Sequence, residues 1–282
     1  MVLLTELSQL QSYLAHQKKD SKTLGLVATM GALHPGHISL IERSRKDNDH
    51  TICSIFVNPT QFDNSSDLLK YPRTLEADRV LLEQAGCDAV FAPANEEMYH
   101  QPPRLRLDFG KLEEVMEGKF RPGHFNGVGL VVSKLFHMIK PDRAYFGQKD
   151  LQQFLIIRQL VNDLSFDIQL VRCPIVREPD GLAMSSRNSR LNPEQRKKAP
   201  QLYQTLVKAK EMLLSGIPVA AAIMAVQRDL AMQDDIKLEY FEVVDEESLQ
   251  PIENIREYAQ VALCMAAYLG DVRLIDNLLL FS

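Results

Sequence analysis

Residues 23–29 read TLGLVAT, and together with the turn after them they constrain the fold more than any other stretch of the chain. A short, continuously apolar run suits a parallel strand buried on both faces. It runs into MGALHPGH at 30–37. Over 38–46 apolar and charged residues then alternate at helical spacing. A parallel strand cannot reach its neighbour through a tight hairpin. It needs a crossover, usually a helix.

The unit recurs. Residues 51–57 read as a second strand, 58–72 as a loop, 75–85 as a helix closed by Gly86, and 89–92 as a third strand. Residues 128–139 and 151–164 read as helices, and 144–146 and 167–173 as strands. Residues 4–17 read as a leading helix with Thr5 at its cap. Alternation of this kind implies a parallel sheet with helices on both faces. Ligands of such sheets bind at the carboxyl ends of the strands.

After Cys173 the pattern changes. Residues 179–190 are polar and turn-rich, 193–214 and 219–232 are helical, and 237–244, 260–268 and 272–280 read as strands, the last two joined at Gly270-Asp271. The expected class is α/β. A Rossmann-like parallel domain spans 1–174, and a smaller C-terminal α+β lid domain spans 175–282.

Charge narrows the partners. The 32 lysines and arginines are scattered among 37 acidic residues, for a net charge of −5. A nucleic-acid partner, which needs a basic face, is not expected. Cys53, Cys87, Cys173 and Cys264 are too far apart for a zinc knuckle or a disulfide framework, and are expected to be buried thiols. No apolar stretch reaches membrane-spanning length, and the first twenty residues lack signal-peptide features. A cytoplasmic location is the expectation.

Five segments carry candidate chemistry. At 30–37, His34 and His37 flank Pro35-Gly36 at a helix start, where free amides and the helix dipole favour phosphate. Gly31 and Gly36 let backbone approach a ligand closely. Both imidazoles can turn toward a departing pyrophosphate and offset its charge. The plainer reading is a turn with two exposed histidines. This H-x-G-H arrangement is a nucleotidyl-transfer signature. At 184–188, Ser185, Ser186 and Arg187 offer hydroxyls and a guanidinium suited to a triphosphate. At 146–150, Lys149 reaches for a phosphate and Asp150 is expected to cap the next helix.

Asn58, Gln61 and Gln153 are neutral amides suited to a small hydroxy acid. In RPGHFNGV at 121–128, His124 reads as a turn or substrate-wall residue. YPRT at 71–74 reads as a turn and cap into the next helix. Asp78, one turn into that helix, reads as a solvated carboxylate with a magnesium contact as the alternative. Magnesium itself would be held mainly by nucleotide phosphates.

Together these motifs resemble the pantothenate synthetase (pantoate–β-alanine ligase) family. The resemblance covers nearly the whole chain: TMGALHPGH at 29–37, SIFVNPTQF at 54–62, YPRT at 71–74, RPGHFNGV at 121–128, FGQKDLQQ at 146–153, DGLAMSSRN at 180–188 and RLIDN at 273–277. It implies a nucleotidyltransferase domain of the HIGH superfamily, a C-terminal lid and a homodimer. It implies ATP, pantoate and β-alanine as substrates, with a pantoyl-adenylate intermediate and AMP and pyrophosphate as products.

By similarity, Met30, Gly31, Ala32, Leu33, His34, Pro35, Gly36 and His37 carry ATP, with His37 at the family's proton-donor position. Gly147, Gln148, Lys149, Asp150, Val176, Met184, Ser185, Ser186 and Arg187 complete the nucleotide site. Gln61 would bind pantoate and β-alanine, and Gln153 pantoate. Against the family pattern, Ala28 replaces a usual proline, Gln148 a common glutamate and Leu130 a frequent threonine, and 100–107 is short. None removes a proposed phosphate or pantoate contact. The rival readings are a nucleotidyltransferase acting on a phosphate ester, an aminoacyl-tRNA synthetase fragment, and an inactive nucleotide-binding scaffold.

Overall fold

The computed structural model of the protein describes residues 1–18, 22–63 and 65–281. Six parallel strands form the main sheet: β1 (Val2–Leu4), β2 (Leu24–Thr29), β3 (His50–Ile55), β4 (Ala89–Phe91), β5 (Arg143–Gly147) and β6 (Gln169–Cys173). Their order is β1-β4-β3-β2-β5-β6. The chain fills one side of β2 through β3 and β4, then returns to its other side with β5. The carboxyl ends of β2 and β5 therefore flank the point where strand order reverses, which is where ligands of open α/β sheets bind.

The two faces of β2 explain its apolar composition. Leu24 and Leu26 enter one core with helices α1 (Leu7–Lys18), α7 (His124–Ile139) and α8 (Leu151–Asp163). Val27 packs on the other face with Leu40 and Ile41 of α2 (Pro35–Asp47) and Leu82 of α4 (Leu75–Gln84). Short helices α3 (Ser65–Lys70), α5 (Asn95–Met98) and α6 (Met116–Phe120) occupy the connections.

The C-terminal part holds α9 (Pro193–Lys198), α10 (Gln201–Leu214) and α11 (Val219–Ala231). An antiparallel sheet of β7 (Ile236–Asp245), β8 (Val261–Leu269) and β9 (Val272–Leu279) completes it, in the order β7-β8-β9. Strand β8 is sandwiched. Its small residues Ala262, Cys264 and Ala266 join the core of the parallel sheet, while Leu263, Met265 and Ala267 join α10 and α11 in a second core. The period-2 side-chain alternation of a strand produces this split.

Several local readings shift. β1 is too short to show a pattern in sequence, and α1 begins at Leu7 rather than at residue 4. Thr5 is not its cap. The Leu7 amide instead donates to the Glu97 carboxylate from α5 at 3.0 Å. The loop expected over 58–72 contains a 3₁₀ turn, Pro59–Gln61, and α3, with Asn64 lying outside the described residues. The helix expected over 193–214 breaks at Pro200, which has no backbone N–H to continue the hydrogen-bond ladder. Helix α7 starts at His124, after Gly123 in a left-handed conformation with φ 78°. No helix among the described residues is long and apolar enough to cross a membrane.

Candidate active site

Two adjoining cavities, of about 200 and about 290 Å³, open at the carboxyl ends of β2 and β5. They share Lys149, Asp150, Gln153, Ser185 and Arg187 as a common wall. The smaller is floored by Met30, His34, Gly36 and His37 and walled by the apolar side chains of Phe56, Val128, Val131 and Val132. Val176, Met184 and Ser186 close it from the C-terminal side. Residues far apart in sequence thus meet at one place.

His34 is the N-cap of α2 and His37 lies one turn inside, their rings 4.0 Å apart. The His34 backbone N–H donates to His37 Nδ1 at 3.3 Å. That bond makes Nδ1 an acceptor and leaves the proton of neutral His37 on Nε2. His34 Nδ1 is buried with no partner among the described residues. Burial, then the Lys149 charge, pulls the His34 pKa down to about 4. Burial, followed by His34 and Lys149, pulls His37 well below its ordinary value. Both imidazoles are therefore neutral hydrogen-bond donors near pH 7.

The amides of Ala32 and Leu33 are not left for a phosphate. They donate to Asp78 Oδ2 and Oδ1 at 3.0 and 2.8 Å. Asp78 is buried, contrary to the solvated carboxylate read from sequence, and the Thr74 hydroxyl donates to it as well. Among Met30 to His37, the residues lining the cavity are Met30, His34, Gly36 and His37, whereas Gly31, Ala32, Leu33 and Pro35 shape the turn behind them.

Lys149 sits where β5 meets α8, its ammonium 3.5 Å from the Asp150 carboxylate. Asp150 occupies the N-cap of α8 but makes no side-chain cap bond, so the expected capping role is not what its carboxylate does. The turn is held from the C-terminal sheet: Asn277 Nδ2 donates to the carbonyls of Gln148 and Lys149, both at 2.9 Å. The Gln148 side chain bonds Asn277 Oδ1 and does not line either cavity.

Ser185 caps the 3₁₀ turn Ser186–Arg190, accepting from the Arg187 amide. Arg187 donates to Asp67 of α3 at 2.9 Å, and Tyr71 pairs its hydroxyl with Ser186 at 3.2 Å. Arg177 grips Asp276 with two bonds of 2.6 and 2.9 Å. Burial nonetheless pushes the Asp276 carboxyl up.

Gln61 is buried at the cavity edge, and Asn58 stands behind it rather than in the wall. Asn58 Nδ2 donates to Gln61 Oε1 at 3.0 Å and to the Gly127 carbonyl at 3.1 Å. Gln61 therefore presents its amide donor, which points at Met30 Sδ. Gly127 is required here. A Cβ on it would lie 2.2 Å from the Thr60 carbonyl oxygen, inside the turn that carries Gln61.

His124 Nδ1 bonds the Gln61 carbonyl at 2.8 Å, which puts its proton on Nδ1 and leaves Nε2 accepting from Arg121 at 3.3 Å. Burial, then the Arg121 charge, pulls the His124 pKa down to about 4. Both residues line the larger cavity, as do Glu117 and Arg273. Sequence reasoning does not single out Arg121 as a site residue; the available signal was its place three residues before His124. Burial pushes Glu117 up, but the Arg273 bonds and the Arg273 and Arg121 charges outweigh it and hold the carboxyl near 2. All four cysteines are buried and unpaired. No cluster of three or more metal-ligating side chains occurs among the described residues.

The family model described as Pantoate-beta-alanine ligase matches residues 2–279. A pantothenate synthetase of Bacteroides fragilis is 49% identical over 278 residues, covering 99% of this chain and 98% of its own. The crystal structure of pantothenate synthetase from Thermus thermophilus superimposes with a TM-score of 0.93 at 42% identity, with 100% of both chains covered. A pantoate-beta-alanine ligase from Francisella tularensis, complexed with Beta-gamma ATP and Beta-alanine, matches with a TM-score of 0.84 at 34% identity, covering 100% of this chain and 98% of that one.

Proposed function

The chain belongs to the pantoate–β-alanine ligase family and is an enzyme of that kind, and we propose that it condenses pantoate with β-alanine through a pantoyl-adenylate intermediate. ATP is the co-substrate. In the first step a pantoate carboxylate oxygen attacks the α-phosphorus of ATP and the bond to pyrophosphate breaks. In the second, the free amine of β-alanine attacks the activated carbonyl, the bond to AMP breaks, and the amine releases a proton. No side-chain nucleophile enters, so the protein orients reactants and offsets developing charge.

The observation that carries this reading is the single cavity on which His34, His37, Lys149, Ser185, Ser186 and Arg187 converge with Gln61 and Gln153. The first six would meet the polyphosphate, with the histidines acting as neutral N–H donors. Gln61 and Gln153 would take the polar groups of pantoate, and the wall of Val128, Val131 and Val132 its branched hydrocarbon. Val176 and Met184 would flank the adenine. Arg121 and His124 in the adjoining cavity suit the β-alanine carboxylate, which a guanidinium and an imidazole recognise by charge and hydrogen bonding.

Magnesium would arrive with the nucleotide, held by its phosphates, and supply further charge neutralisation. The unit from residue 175 onward would act as a lid that keeps the adenylate from water. A homodimer is the assembly that the family resemblance implies. A cytoplasmic location accords with four reduced, buried thiols.

The test is isotope exchange between pyrophosphate and ATP. Exchange should require pantoate and proceed without β-alanine. Enzyme that forms pantothenate yet shows no such exchange would sink the adenylate route. A second expectation concerns the wall of the pantoate site. Gly127→Ala must push the turn carrying Gln61 away, and a misplacement of about 1 Å can cost about 10²-fold. The loss should fall on kcat/KM for pantoate, measured at saturating ATP, with the KM for ATP little changed. An unaltered pantoate kcat/KM would remove Gln61 from the substrate wall.

A further inference from the structure

Asp78 is 2% exposed, lies on the side of the β2 turn away from the cavity, and has no lysine or arginine within ion-pair distance among the described residues. Its two oxygens are held by the Ala32 and Leu33 amides and the Thr74 hydroxyl. The residues it grips are unusual. Gly31 has φ 82° and Ala32 has φ 51°, so two successive residues lie in the left-handed region, the second with a side chain. That region suits glycine and is disfavoured for alanine. Successive amides in such a turn form a concave anion site. Here an internal carboxylate fills it.

The next residues are His34 in extended conformation, φ −139° and ψ 170°, and then the first turn of α2 with His37. The direction in which the chain leaves the left-handed pair sets where both imidazoles point. A Cβ at Gly31 would come within 3.0 Å of Asp78 Oδ2 and 3.1 Å of Ile55, so the turn is closely fitted between α4 and β3.

We propose that Asp78 is a positioning residue for the adenylation step: its carboxylate holds the left-handed pair Gly31-Ala32 so that His34 and His37 face the reacting phosphates. It also withdraws the Ala32 and Leu33 amides from the nucleotide, leaving the leaving group to side-chain donors. The proposal rests on the two-step reading above and adds to it a residue that touches no substrate. Asp78 acts on the first half-reaction because the histidines do. Aminolysis of a preformed adenylate uses the adjoining cavity, which Asp78 does not border.

The experiment compares the wild-type protein, Asp78→Asn and the double variant Asp78→Asn/Ala32→Gly. Asparagine keeps the size but offers one acceptor where two amides need one each. Pyrophosphate exchange should slow about 10²-fold in Asp78→Asn, the scale of displaced catalytic groups. β-Alanine aminolysis of supplied pantoyl adenylate, per folded molecule, should change by less than about threefold, well within the scatter expected of an indirect effect. Ala32→Gly should restore exchange by about tenfold, because glycine adopts the left-handed conformation unaided.

A merely structural role would lower both half-reactions alike and would not be rescued at residue 32. Either result overturns the proposal. A readout independent of turnover is the ring-nitrogen spectrum of His37. It should show the Nε2–H tautomer in wild type and mixed tautomers in Asp78→Asn, and an unchanged spectrum overturns the proposal even if both variants are inactive. Wild-type protein that makes pantothenate without exchange would count against the adenylate reading instead, while the tautomer measurement still decides on Asp78.

Discussion

Replacing His37 by alanine is expected to slow pantoate-dependent pyrophosphate exchange by about 10²- to 10³-fold, the range seen when one oxyanion-type donor is removed. The effect should fall on kcat rather than on the KM for ATP, because charge on the leaving oxygens grows in the transition state. His37→Gln, which keeps a neutral N–H donor, should lose less. The pH profile separates two roles for the ring. An imidazolium donor with an ordinary pKa of about 6.5 would lose about tenfold in rate per pH unit above it. Burial and the neighbouring Lys149 charge hold His37 well below that value, so it is already neutral throughout the neutral range. Exchange measured as kcat/KM for ATP should therefore show no falling limb between about pH 6 and 8. A decline there that disappears in His37→Gln would restore proton donation to this residue.

The second large effect is on stability. Arg273 of β9 donates to both oxygens of Glu117 at 2.8 and 2.7 Å, and its Nε donates to Glu239 at 2.9 Å. Tyr240 adds a bond to Glu117 at 2.9 Å. The Glu117 and Glu239 side chains are only 10% and 13% exposed. Arg273→Ala leaves Glu239 without its cation and Glu117 with only the more distant Arg121, 3.7 Å away, and breaking a buried pair from one side costs about 3–5 kcal/mol. Urea unfolding at pH 7 should show that loss. Removing both partners, as in Glu117→Gln/Arg273→Met, should cost less than Arg273→Ala alone, because Glu239 is then the one carboxylate of the network left without Arg273.

The pH dependence has a definite sign. Glu117 is held down from 4.5 to about 2, so its contribution is complete above pH 4.5 and is lost as the pH falls through 2. The gap between wild type and Arg273→Ala should narrow over that window. A gap unchanged by pH, or below about 1 kcal/mol at pH 7, would show the network to be solvated, as exposed ion pairs are.

The expected strand, turn and helix at 23–46 match β2 and α2 because each rests on neighbours in the chain. Apolar residues on both faces demand burial on both faces, and Pro35-Gly36 after a turn opens a helix. Gln61, Gln153 and the Ser185–Arg187 loop were legible as polar groups of one candidate site, and the fold brings them onto one cavity. Asp78 and Asp150 show the limit of that reading. A carboxylate one turn into a helix looks solvated, and an aspartate before a helix looks like a cap. Asp78 proves to be the anchor of the Ala32 and Leu33 amides, and Asp150 the partner of Lys149.

The turn from Met30 to His37 divides the two kinds of information. Sequence alone determined that two histidines stand at the start of a helix after a buried strand, since backbone preference and hydrophobic spacing act within a few residues. Tertiary structure decided which atoms of that turn face the cavity. Asp78, 46 residues after Ala32, takes the amides; Lys149 lowers the proton affinity of both rings; and Asn277 reaches across 128 residues to hold the Lys149 carbonyl. Those contacts depend on which surfaces the folded sheet brings together. No local propensity encodes them, because each partner could be satisfied by water until packing excludes it.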